Sequence, residues 1–340
     1  MSRPLRVLVL STTNQQKTHT WRLRVGLLRP YLQERNIFVE PCWLPRERSH
    51  RRALFDRLRG FDVIWIHRAL FWPSELRRLR PIAPQMVLDI DDPVCYSSTA
   101  PANFTLARCL KFRATTRACT AVVAASDGLV ELARRHNANT IFLPLCADAD
   151  AYSMRPRRRS PGEPLRLLWM GARSTFKYLA QVRPQLEAVG RACPNIELVV
   201  VGHSDLALQS MPVHNRPWSP AEDREQLGRC HVGLVPLAND RWTRAKAALK
   251  PLQYLASGLP FIGSPVGINR RLVDEGRNGL LADDDAEWIA AVRRLHEDET
   301  LRFLMGGHGV AYIRRYHTAA VLAERLSGVF RSLTRLTAAA

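Results

Sequence analysis

No part of this 340-residue chain is apolar for long: the longest apolar runs are five to eight residues, each broken by Arg, Asp or Gly. That is far short of the roughly 20 apolar residues needed to span a membrane as a helix. The start, Met1 to Gln16, has a five-residue apolar run but no small-residue cleavage site, which argues against a secretory signal and leads to the expectation of a cytoplasmic protein. Patterned cysteine is also missing. The seven cysteines (Cys42, Cys95, Cys109, Cys119, Cys146, Cys193 and Cys230) form no CxxC pair and have no histidine at ligand spacing. They imply no structural zinc and read as reduced thiols in or near the core. Acidic residues and lysine are scarce. Asp and Glu number 31 against 50 Lys and Arg, for a net charge of +19, and only five of the 50 are lysine. A basic excess of this size suits nucleic acid, an anionic membrane surface or an acidic substrate. No groove-reading helix or aromatic RNA platform motif accompanies it.

What is present is an alternation of strand and helix. Short apolar runs at residues 6–10, 39–44, 62–67, 86–90, 121–125 and 140–143 fit strands buried on both faces. Helical patterns at 21–35, 53–58, 104–119 and 127–136 lie between several of them. The arginine- and proline-rich stretch from Met154 to Pro164 has no apolar residue after Met154 and reads as a linker. A second series follows, with strands at 165–170, 196–201, 231–236, 259–262 and 279–282 and helices at 176–193, 220–229, 250–257 and 285–296. The tail, 301–316 and 318–336, is helical and amphipathic. The expected fold class is α/β, with two doubly wound Rossmann-like domains facing across a cleft. The first spans 1–155, a linker 156–163 and the second 164–317, with a C-terminal helix over 318–340 packing back on the first.

The residues that point to a chemistry cluster in the second series. Lys246 and Lys250 bracket a helix start, and Gly258, Pro260 and Gly267 punctuate the strand that follows. Free backbone N–H groups at a helix start, together with ammonium groups, suit a diphosphate. Gly171, Arg173, Thr175 and Lys177 directly follow another strand and offer a second set of donors. Gly267 and Asn269 open a strand-to-helix turn where their amides either reach phosphate or cap the helix. In the first series, Asp89, Asp91 and Asp92 end one strand and His67 ends the preceding one, placing them as candidates for the acceptor side or for steering a nucleophile. Thr12, Thr13 and Asn14 form the first strand-to-helix loop. They lack the Gly-x-Gly-x-x-Gly of a dinucleotide site, which argues against an oxidoreductase.

The block Lys250-Pro-Leu-Gln253-Tyr254-Leu-Ala256-Ser-Gly258-Leu-Pro260, then Ser264-Pro-Val-Gly267-Ile-Asn269 and Gly276-Arg-Asn278-Gly279, resembles glycosyltransferases of the GT-B fold, close to the family 4 type. Glu287-Trp288 and Leu301-Arg302-Phe-Leu-Met305-Gly306 extend the likeness, while the N-terminal half matches more loosely, through 6–11, 61–68 and 87–92. The resemblance implies transfer of a sugar from a nucleotide donor, with retention of configuration and without an obligatory metal or other cofactor. It implies that Gly171, Arg173, Thr175, Lys177, Lys246, Lys250, Gln253, Ser264, Gly267 and Asn269 hold the donor. Asp91, Asp92 and Lys250 would be catalytic, and Thr12, Thr13 and His67 would lie on the acceptor side. Donors aimed at the departing diphosphate lower the barrier where charge develops.

One departure stands out. Family 4 enzymes commonly have two glutamates separated by seven residues, and the matching positions here are Ala245 and Gln253. An amide still hydrogen-bonds ribose hydroxyls but has no charge. The loss of both acids keeps open a catalytically inert sugar-nucleotide or glycan-binding protein as an alternative, and charge alone keeps open a nucleic-acid-binding one. The run Asp89-Ile-Asp91-Asp92 also matches the metal-holding DxD of the other glycosyltransferase architecture, GT-A; the doubled α/β pattern argues against it. Basic segments 46–59 and 77–80, interleaved with Trp43, Phe55, Phe71 and Trp72, suit an anionic membrane surface where a lipid-linked or envelope glycan acceptor waits. A solvated helix face accounts for them equally. The base of the nucleotide is not legible.

Overall fold

The computed structural model describes residues 3–12, 19–56, 58–81, 84–96, 105–148, 151–152, 158–247 and 249–338. The chain divides into two compact units. The first comprises Met1–Cys146, Ala245–Ala247 and His317–Ala340; the second comprises Ala147–Arg244 and Ala248–Tyr316. Each is built on a six-stranded, all-parallel sheet.

The first sheet contains β1 (Leu5–Ser11), β2 (Ile37–Trp43), β3 (Val63–His67), β4 (Met86–Ile90), β5 (Ala121–Ala124) and β6 (Thr140–Phe142), in the order β2-β1-β3-β4-β5-β6. Its strands read as continuous apolar runs because both faces are covered. Leu8, Leu10, Ile64, Ile66, Leu88 and Ile90 pack to one side with Phe55 and Phe71. Val7, Val9, Val63, Trp65 and Val87 pack to the other with Leu326 and Phe330 of the terminal helix Ala319–Ala338. The Trp65 and Phe330 rings meet edge-on, with centroids 5.7 Å apart. This is the period-two alternation of a strand applied twice, once for each covered face.

The second sheet contains β7 (Leu165–Met170), β8 (Ile196–Gly202), β9 (Val213–Pro217), β10 (Val232–Val235), β11 (Phe261–Gly263) and β12 (Gly279–Leu281), in the order β12-β11-β10-β7-β8-β9. Leu165, Leu167, Trp169, Leu198, Val200, Val232 and Leu234 form one core with Trp288 and Met305. In both sheets the order reverses once, between β1 and β3 and between β7 and β10. Ligands of open parallel sheets bind beyond the carboxyl ends of the strands at such a point.

Several elements depart from the sequence-based expectation. The helix expected over 176–193 starts at Arg173 and is two helices, Arg173–Gln181 and Arg183–Ala192, joined at Val182 (φ −90°, ψ 18°) where Pro184 cannot continue the ladder. The helix expected over 21–35 is a π-helical turn, Arg22–Gly26, followed by Arg29–Glu34, again with a proline in its first turn. The helix expected over 53–58 is Arg48–Phe55. Two helices, Pro73–Leu79 and Arg241–Ala245, and the edge strand β9 were not expected. Strand β9 reads Val-His-Asn-Arg-Pro and is mostly exposed, so it shows no hydrophobic period.

Candidate functional site

In the first unit, the chain leaves the sheet beside its reversal point at Ser11 and Thr12 after β1, Arg68 after β3, and Asp91 and Asp92 after β4. Thr12 is half-buried, while Thr13 and Asn14 lie outside the described residues. Arg68 stands in the left-handed region (φ 56°), and its N–H donates to Asp89 O at 2.9 Å. That turn brings its guanidinium to both aspartates: Nε lies 3.2 Å from Asp91 Oδ1, and Nη2 donates to Asp92 Oδ2 at 2.7 Å. Asp91 is buried and Asp92 partly exposed. Burial pushes the Asp92 carboxyl above its ordinary range, Arg68 and the charge of Lys246 pull it back, and Asp91 adds to the rise.

His67 differs from the expectation of a residue lining the acceptor side. It is fully buried, with Nδ1 3.4 Å from Ser11 Oγ and Nε2 without a partner among the described residues. Burial lowers its pKa to about 4, against the raising effect of Asp89. The sign is clear: between about pH 6.5 and 4 the unfolded chain takes up a proton that folded His67 refuses, so stability falls as acid is added across that window. A His67→Asn variant is expected to flatten the fall. Urea midpoints measured at pH 7 and pH 5 should differ less for the variant than for the wild type.

Beneath these residues lies a pair that sequence reasoning missed. Arg24, 1% exposed, donates through Nε to both oxygens of Asp89 (2.8 and 3.0 Å) and through Nη1 to the carbonyls of Leu143 and Pro144. Trp65 Nε1 adds a second donor to Asp89 at 2.8 Å. Asp89 is therefore a structural anchor that fixes where Asp91 and Asp92 emerge.

In the second unit, β7 runs into Gly171. A Cβ there would lie 2.3 Å from the Trp169 ring and 2.8 Å from Thr175 Oγ1, so packing by itself demands glycine. Thr175 Oγ donates to Ala172 O at 2.9 Å, while Arg173 and Lys177 are exposed on the first two turns of Arg173–Gln181. The Lys177 ammonium lies 5.0 Å from the Tyr178 ring centroid. After β10, Asp240 Oδ1 accepts the N–H groups of Trp242 and Thr243 and starts the helix Arg241–Ala245.

The remaining donor-side candidates divide. Ser264 and Asn269 close one turn at the carboxyl ends of β10 and β11. Ser264 Oγ accepts from Leu237 N at 3.1 Å, and Asn269 Nδ2 donates to Val235 O and Ser264 O. Asn269 is fully buried, and its side-chain amide holds the turn through Nδ2. Gly267 has φ 55° and ψ −128°, and a Cβ there would lie 2.6 Å from Thr243 O, so no other residue fits.

Lys250, expected as an ammonium open to phosphate, is instead ion-paired. Its Nζ lies 3.1 Å from Asp223 Oδ2, an oxygen that also accepts from Trp218 Nε1. Burial lowers the Lys250 pKa and Asp223 opposes the shift. Asp223 was missed because its position, in the first turn after the N-cap Ser219, reads as ordinary helix capping. Lys246 belongs to the segment Ala245–Ala247, which groups with the first unit, whereas Lys250 belongs to the second. Ala245 is buried in that unit's core, and its carbonyl accepts from Ser126 Oγ at 2.7 Å. At the second departure from the paired glutamates, Gln253 is 1% exposed and donates through Nε2 to Tyr152 Oη at 2.7 Å. Among the described residues no cluster of metal-ligating side chains occurs.

Comparison with known proteins places this geometry. Residues 165–298 match the family model described as glycosyl transferases group 1. A D-inositol 3-phosphate glycosyltransferase of Corynebacterium kroppenstedtii is 27% identical over 119 residues, which are 34% of this chain and 25% of that protein. The match thus spans about a quarter of the length of that curated relative. The structure of Anabaena HepE in complex with UDP superposes with a TM-score of 0.71 at 12% identity, covering 96% of this chain and 100% of that one. Sucrose-phosphate synthase from Thermosynechococcus elongatus gives a TM-score of 0.71 at 15% identity, covering 99% and 100%. The two Rossmann-like units have the GT-B fold of these structures, and residues 165–298, within the second unit, are the part that matches the glycosyl transferases group 1 model.

Proposed function

We propose that the protein is a glycosyltransferase that moves a sugar from a nucleotide-sugar donor to an envelope polysaccharide or lipid-linked glycan. The observation that carries this is the match of residues 165–298 to group 1 glycosyltransferases, laid over the reversal point of the second sheet. Structural neighbours were solved with UDP and with UDP-glucose, which supports a uridine donor.

In this reading the second unit holds the donor. Arg173 and Lys177 offer exposed cations after β7, and Lys250 meets the diphosphate as one half of an ion pair. Transfer breaks the bond from the anomeric carbon to the phosphate oxygen, and the electron pair leaves with the nucleoside diphosphate. The acceptor hydroxyl oxygen, giving up its proton, forms the new bond to the anomeric carbon on the face that the diphosphate leaves, as retention requires. Asp91 and Asp92 of the first unit steer that hydroxyl, with Asp92 as the proton-accepting group. Retention of configuration and metal independence follow the family resemblance, the cations doing for the diphosphate what a divalent ion would do.

The first unit also supports a surface-bound acceptor. Exposed arginines crowd the helices Arg48–Phe55, Pro73–Leu79 and Leu106–Ala118, and the side chains of Arg48 and Lys111 lie 5.6 and 4.9 Å from the Trp72 ring. Leu106 and Leu110 are exposed one turn apart on the third helix. Cations beside an aromatic ring and exposed leucines suit a peripheral stay on an anionic membrane. Among the described residues no helix is long and apolar enough to cross one.

The buried Ala245 methyl, where family 4 has an acid, favours the second reading of a binder without turnover. Nucleoside diphosphate release from a panel of nucleotide sugars separates the two. Release by the wild type, with Asp92→Asn slower by about 100-fold or more and still binding the nucleotide, is the expected result. Nucleotide binding with no release from any donor would leave the binder.

A further inference from the structure

Gln253 is a buried amide with only one end satisfied. Its Nε2 donates to the Tyr152 hydroxyl at 2.7 Å, while Oε1 is sealed from solvent and has no hydrogen-bond partner among the described residues. A buried carbonyl oxygen without a partner carries a desolvation penalty that a protein ordinarily relieves with a neighbour or a ligand. Tyr152 is itself buried and stands 101 residues away in sequence, anchored by its N–H to Asp148 O at 3.1 Å.

The chemistry of the substitution explains why such a partner matters. A carboxylate offers acceptors on both oxygens however it is turned. An amide has one accepting end and one donating end, so its response to a hydroxyl depends on which end faces it. In the arrangement seen, the donor end is engaged by Tyr152 and the acceptor end is kept for another group. The reverse arrangement would leave the amide's two N–H donors unpaired in the same dry place.

We propose that Tyr152 is a positioning residue for donor recognition: its hydroxyl holds the Gln253 amide so that Oε1 accepts from a ribose hydroxyl of the bound nucleotide. The inference rests on the donor-binding role proposed above for the second unit. Together the tyrosine and the amide replace the second glutamate of the family pattern, and they make recognition of the ribose depend on Tyr152.

The test is nucleotide binding by the full chain, measured calorimetrically with nucleoside diphosphates and their 2′-deoxy and 3′-deoxy counterparts. UDP comes first, then GDP and ADP. The wild type should prefer the ribonucleotide over at least one deoxy form by about tenfold, the scale of one hydrogen bond to a polar site. Tyr152→Phe keeps the ring and is expected to bring that preference below about threefold while leaving affinity for the deoxy form unchanged. Gln253→Glu restores acceptors at both ends and should retain the preference even when combined with Tyr152→Phe; Gln253→Leu should abolish it. A Tyr152→Phe protein that folds and keeps the full preference would overturn the proposal and leave the bond as packing alone. Tighter ribonucleotide binding by Tyr152→Phe would also overturn it, because Tyr152 would then compete for the amide. Failure of the wild type to bind any of the three diphosphates would instead remove the donor-binding reading on which the inference stands.

Discussion

Replacing Lys250 with alanine is expected to abolish nucleoside diphosphate release and to lower stability by about 3 kcal/mol, the cost of leaving a buried charge without its partner. The second effect arises because Asp223 is 1% exposed and accepts from both Lys250 and Trp218. For a unit of this size, about 3 kcal/mol is a drop of roughly 6–12 °C in the melting temperature. The two effects come apart in a double variant. Lys250→Met combined with Asp223→Asn removes both charges and keeps most of the volume, so stability should largely return while diphosphate binding does not. Recovery of binding along with stability would mean that Lys250 serves packing only. Calorimetric unfolding together with nucleotide titration distinguishes these results.

Arg24→Ala is expected to have the largest effect on folding. It leaves the Asp89 carboxylate, 0% exposed, with Trp65 Nε1 in place of its guanidinium partner, and frees the carbonyls of Leu143 and Pro144. Removing one partner of a fully buried pair costs about 3–5 kcal/mol. The loss should fall on the first unit, which contains Arg24 and all of its partners. Circular dichroism melts of Arg24→Ala should show an early transition that nucleotide does not raise, followed by a later one that it does. A single unshifted transition would contradict this account of Arg24.

The fold was readable because its strands are buried on both faces: Met86–Ile90 and Ile196–Gly202 are nearly unbroken aliphatic runs, a pattern of buried parallel sheets. Strand β9 and the helix Pro73–Leu79 were not readable, since one is exposed and polar and the other places only Glu75, Leu76 and Leu79 inside. In the candidate site, the sequence pointed to Lys250, Gln253, Asp91 and Asp92 through their local order. Their partners were hidden by distance along the chain. Asp223 lies 27 residues before Lys250 and Tyr152 lies 101 before Gln253, while Asp89 and Arg24 are separated by 65. Periodicity and motif spacing act within a few turns of chain, so ion pairs made by tertiary packing leave no mark in them. Asn269 lies in the motif as well, and its side chain reaches back 34 residues to Val235 O.

In the function proposed, the second unit binds a nucleoside diphosphate at the reversal point between β7 and β10. Thermal unfolding of the wild type and of Arg173→Ala with UDP, GDP and ADP tests it most directly, because a ligand that binds only the folded state must raise its stability. The account predicts that one of the three diphosphates raises the wild-type transition and that Arg173→Ala, an exposed residue whose loss leaves the fold intact, weakens the rise. No rise with any of them, or an equal rise in Arg173→Ala, would contradict it.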